Sequence, residues 1–126
     1  MPYKIMISIV CIVPLIFSLA FVAIPEFFVL QWYPSAEGLG LEIGITQRYI
    51  MAGMLFMVVC FAFQSRSVEG VDNQKAILLG AAIGFTVMCA VIISMAVFRG
   101  LPLSVPPMIA TGIGAALSFW SRWKLK

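Results

Sequence analysis

Apolar residues fall in four long runs, and the polar positions lie between these runs rather than alternating within them. Residues 5–25 are interrupted only by Ser8, Cys11, Pro14 and Ser18. Residues 45–63 hold a single charge, Arg48, near their start, and residues 76–98 hold none. Residues 105–123 open on Pro106 and Pro107. A helix of about 20 apolar residues crosses the ~30 Å hydrocarbon layer of a bilayer. Spanning strands would alternate polar and apolar positions, and these runs do not. The pattern therefore predicts an all-α membrane protein: four transmembrane helices in a compact up-down bundle, one domain over residues 1–126.

The first run has one competing interpretation. Lys4, the apolar stretch from Ile5 to Phe17 and the Ser18-x-Ala20 pair resemble a cleavable signal peptide. The apolar stretch continues through Phe21, Val22, Ala23 and Ile24 to a spanning length, so an uncleaved span is expected.

Composition agrees with a membrane solvent. The 126 residues are 63% hydrophobic and 10% charged, with a mean hydropathy of +1.09, whereas soluble domains hold about 45–50% apolar and ~25% charged residues. The chain has no histidine. That excludes His-ligated haem, His-based zinc sites and Ser-His-Asp or Cys-His catalysis.

Basic residues set the expected orientation. An even number of spans puts both termini on one side, together with Lys4, Arg66, Lys75, Arg122, Lys124 and Lys126; the opposite side keeps Arg48 and Arg99. The positive-inside rule then makes both termini cytoplasmic. The first connection, from Glu26 to Gly44, is long and amphiphilic, and Trp32 and Tyr33 are expected to anchor it in the outer headgroup layer. Trp120 and Trp123 are expected to do the same at the inner interface. Pro14 predicts a kink in the first span. Ser104 is placed to cap the fourth helix, with Pro106 and Pro107 in its first turn, where a missing N–H costs little.

Helices in lipid associate through close packing of small residues and occasional hydrogen bonds. Small residues recur at helical spacing along four stripes: Ser8, Cys11, Leu15, Ser18 and Val22; Gly53, Met57, Cys60 and Gln64; Gly80, Gly84 and on to Ser94; Ala110, Gly114 and Ser118. The simpler expectation is that these stripes pack the bundle internally. The sharper one is that Gly80-x-x-x-Gly84 drives dimerisation.

Ionisable groups at membrane depth are functional candidates by default. Arg48 lies five residues from Gly53, roughly 140° around a helix at ~100° per residue, so it is expected off the small-residue stripe. Its simplest roles are an interfacial anchor or an ion pair with Glu26. The alternative is a ligand site in an outer vestibule with Glu26, Gln47 and Thr46. No carboxylate occupies mid-span, which counts against proton coupling through a desolvated acid. Glu26, Glu37 and Glu42 are expected to act as solvated surface acids rather than a cation site. Cys11, Cys60 and Cys89 form no C-x-x-C and are expected to pack as small hydrophobes. Met51, Met54 and Met57 share a helix face, but without His or paired Cys they suggest packing rather than copper(I). No metal, cofactor or catalytic residue is expected, and no phosphate loop or basic-aromatic stretch points to nucleotide or nucleic acid.

The stretch IPEFFVLQWYPS followed by TQRYIMAGMLFMVVCFAFQSR resembles a group of small bacterial four-span inner-membrane proteins of unassigned function. The resemblance rests on a Pro-x-hydrophobic exit from the first span at Pro25, an arginine early in the second at Arg48, and a small residue after it at Gly53. The segment AILLGAAIGFTVM fits the third span of that pattern. It implies a bacterial inner-membrane location and carries over no substrate or catalytic residue. The chain lacks the mid-span glutamate of small multidrug transporters. It also lacks the cysteine pairs of mercury carriers and of quinone-linked disulfide-forming enzymes.

The expected function is accordingly non-enzymatic: an accessory or assembly subunit acting by helix packing in a larger membrane complex. The alternative is a small homodimeric transporter or channel with its vestibule near Arg48 and Glu26. Its partners are the lipid bilayer and either other subunits or a second copy.

Overall fold

The computed structural model describes residues 2–126, and among them every regular element is helical. There are five helices: α1 (Tyr3–Ala23), α2 (Pro25–Trp32), α3 (Gly38–Ser65), α4 (Val71–Arg99) and α5 (Val105–Lys124). Helix α1 runs through Pro14 as one element and stops at Ile24. Pro25 ends it, because its ring clashes with the preceding turn and disfavours helical geometry at Ile24, and the same proline then opens α2. The expected long outer connection is thus mostly helix. Helix α3 begins at Gly38 rather than near residue 45, and α4 begins at Val71 rather than residue 76. Ser104 stands at the N-cap of α5 as expected, but its buried hydroxyl makes no capping bond.

Helices α1, α3 and α4 are long and apolar enough to cross a membrane. At 28 and 29 residues, α3 and α4 extend about 42–44 Å, longer than the ~30 Å hydrocarbon layer of a bilayer. Helix α5 is diluted by Thr111, Gly112, Gly114, Ser118, Ser121, Arg122 and Lys124, and is not among the three.

The helices pack in two pairs. Helix α1 packs along α3 and α4 packs along α5, while α2 rests on α3. Helices α3 and α4, consecutive in the chain, barely touch. Among the described residues, the two pairs are joined mainly by α1, through α5 and α4. The junction is a buried cluster of Tyr3, Met6, Ile7, Val10, Cys11, Ala62 and Leu78, with Leu117 and Leu125 packed against it. These residues belong to the start of α1, the end of α3, the start of α4 and the end of α5, so both termini meet at one end. Toward the other end, residues of both pairs line an open space.

Candidate functional site

The α1–α3 seam is stitched by side chains of α1 that donate to α3 carbonyls. Tyr3 Oη donates to Ser65 O at 2.8 Å, Cys11 Sγ to Val59 O at 3.9 Å, and Ser18 Oγ to Ala52 O at 2.8 Å. The steps of seven or eight residues on α1 and six or seven on α3 run antiparallel, which keeps both seams in register. Ala52 and Ala62 are the small residues that admit this approach, being 2% and 9% exposed. The expected stripe of Gly53, Met57, Cys60 and Gln64 lies one residue, or ~100°, away and faces outward, and a Cβ on Gly53 would touch nothing within 4 Å.

Helix α4 repeats the pattern. Its packed seam runs through Leu78, Ala82, Phe85, Cys89 and Ile92, not through the glycines. A Cβ on Gly80 or Gly84 would meet nothing within 4 Å. On α5, by contrast, Gly114 and Ser118 are buried in the seam as expected, and a Cβ on Gly114 would sit 3.0 Å from the Phe85 ring. Ala110 is half-buried at the seam's edge.

Between the pairs lies a lateral cleft of about 330 Å³. Val10, Pro14, Phe17 and Phe21 of α1 form one wall, Leu55 and Val58 of α3 another, and Gly80, Gly84, Phe85 and Met88 of α4 the facing one. The missing side chains at Gly80 and Gly84 leave this space open. Thr111, its polar contributor from α5, already gives its hydroxyl proton to Pro107 O at 2.8 Å, with Met108 O at 3.1 Å. The cleft is therefore apolar in effect as well as in composition.

Arg48 lies beyond the cleft's far end. Helix α3 extends to Gly38, so Arg48 is ten residues from the helix start, about 15 Å in, rather than near the start. Its guanidinium stands 5.5 Å from the centre of the Phe21 ring, which also lines the cleft. Nη2 donates to Phe28 O at 3.3 Å and Nη1 to Met51 Sδ at 3.3 Å, while Nε is buried without a partner. The contacts of Arg48 are thus a carbonyl, a thioether and a ring, instead of the expected Glu26. Glu26 and Gln47 are exposed, and Thr46 is spent on Glu42 O of its own helix at 2.9 Å. Among the described residues, none of Glu26, Gln47 and Thr46 bonds to Arg48.

Comparison with protein-family models, curated proteins and solved structures finds no match. The geometry stands alone.

The remaining candidates divide simply. Trp32 is half-buried where α2 ends on α3, while Tyr33, Trp120 and Trp123 are exposed at helix ends. Cys11 is buried, Cys89 half-buried and Cys60 exposed, so the thiols do not share one packing role. Among the described residues, no group of three His, Cys, Asp or Glu side chains could hold a metal ion. The cleft itself had no signature in the sequence beyond the glycine pair that now borders it.

Proposed function

We infer that this chain is a non-catalytic, multi-pass membrane protein that holds an apolar chain in its lateral cleft. The observation that carries this is the volume and lining of that space. One turn of helix with its side chains, 10 Å across and 5.4 Å long, fills about 400 Å³. The cleft's ~330 Å³ takes less than a turn, but suits a flexible chain and lies within the usual range of ligand pockets. Four spans with cytoplasmic termini complete the proposal. They rest on α5 packing along α4, on the termini meeting at one end, and on the basic residues at that end. The bacterial inner membrane is the membrane proposed.

Native mass spectrometry after extraction in a neutral detergent tests the reading. Wild-type protein is expected to retain one lipid-sized adduct. Gly84→Phe, which fills the cleft, is expected to lose it, and Met54→Phe on the exposed face of α3 to keep it. Equal retention by all three proteins would remove the reading.

A second reading, an accessory subunit docking through its helices, draws on the unoccupied glycine face of α4. It is favoured if Gly84→Phe instead abolishes a larger assembly. The transporter alternative draws no support from bonding among Arg48, Glu26, Gln47 and Thr46.

A further inference from the structure

We propose that the cleft's occupant is an anionic phospholipid, one acyl chain lying in the cleft and its phosphate paired with Arg48. This rests on the chain-binding reading above and adds the head group to it.

The first argument is charge. Arg48 is half-buried, about 15 Å along α3, yet among the described residues its contacts include no carboxylate. A charge partly buried against apolar side chains is paired in folded proteins, since an uncompensated one is costly there. A guanidinium carries five N–H donors. Those of Arg48 reach one carbonyl and one weak thioether acceptor, and Nε has none. The missing partner is an anion, and guanidinium suits phosphate in particular because its fork matches two phosphate oxygens.

The second argument is placement. Phe21 joins the two parts, lying under Arg48 and lining the cleft. Leu55, seven residues from Arg48, is on the same face of α3 and also lines the cleft. Along α1 the lining runs from Phe21 to Val10, about 16 Å. One leaflet's acyl layer is about 15 Å deep, half of the hydrocarbon thickness. A head group at Arg48 therefore sends one chain down the length of the cleft. Gly80 and Gly84, exposed at its side, leave it open to the bilayer, where the second chain remains.

The test uses the full chain in nanodiscs holding equal amounts of phosphatidylglycerol and phosphatidylcholine with identical acyl chains, released for native mass spectrometry. Wild-type protein is expected to retain the anionic lipid about fivefold over the zwitterionic one, the size of effect one basic side chain has on an anionic lipid. Arg48→Gln is expected to keep a bound lipid with the preference gone, and Arg48→Lys to recover part of it. Equal retention of the two lipids by wild-type protein overturns the proposal whether or not any variant folds. A preference that survives in Arg48→Gln overturns it too, while leaving the cleft reading intact. Loss of discrimination only when Gly84→Phe empties the cleft would show that the chain, and not the head group, is what the protein recognises.

Discussion

Ser18 is 5% exposed and gives its hydroxyl proton to the Ala52 carbonyl, whose residue is 2% exposed. Neither group has water to fall back on. Hydrogen bonds between membrane helices are worth about 0.6 kcal/mol on average and up to ~1.7. Ser18→Ala is expected to lower stability by about 1 kcal/mol in a denaturation series in detergent micelles. Gly114 is the stricter position, since any Cβ there meets the Phe85 ring at 3.0 Å. Gly114→Leu is expected to destabilise by at least ~1–3 kcal/mol through overpacking, and Gly53→Leu by far less, because nothing lies near it. Comparing the two variants in one thermal-shift assay separates a glycine that packs from one that does not. The sequence ranks these two glycines alike; only the neighbour at 3.0 Å distinguishes them.

At the scale of elements, Pro25 decides the most. It ends α1, opens α2 and turns what reads as a loop into a helix laid across α3. Contact between α2 and α3 is close: a Cβ at Gly44 would fall 2.6 Å from Cγ1 of Val29, itself 2% exposed. Gly44→Leu is therefore expected to lift α2 from α3, removing the Phe28 carbonyl from Arg48. Limited proteolysis between α2 and α3 should accelerate severalfold, and unchanged cleavage would show that α2 is held elsewhere. Gly100 shows the reverse case, in which local chemistry is legible. Its φ of +62° is the left-handed conformation glycine supplies after a helix, and its N–H closes α4 onto Met95 O. The existence and order of the long helices were readable from apolar runs of spanning length. Their starts were not, because Gly38 to Gly44 and Val71 to Lys75 carry too few apolar residues to mark a span.

For the whole molecule, the separation of α3 from α4 is the defining feature. Introduced cysteines at Ser18 and Ala52, in a chain whose native cysteines are replaced by alanine, are expected to crosslink within one chain. Cysteines at Met57 and Val87, on faces of α3 and α4 that do not meet, are not expected to do so. A rapid Met57–Val87 crosslink within the monomer would mean the cleft is closed. Reporter fusions at Lys126 are expected to read as cytoplasmic, since α5 runs back along α4 to the basic end. Such a fusion reading outside would leave α5 on the surface of the membrane.

The sequence by itself determined the apolar character of the long runs and that each is a helix. Uninterrupted apolar runs cannot be solvated by water, and in lipid each must satisfy its own backbone as helix. The absence of histidine likewise removed the chemistry that needs an imidazole. Which face of each helix packs was decided only by the tertiary structure. A helix that is apolar all round carries no stripe to distinguish core from lipid, so Gly80 and Gly84 read as a contact and fold as a gap. The same holds for Arg48: packing of α1 along α3 brings Phe21 beside it and the break at Pro25 brings Phe28, long-range consequences that no local pattern encodes.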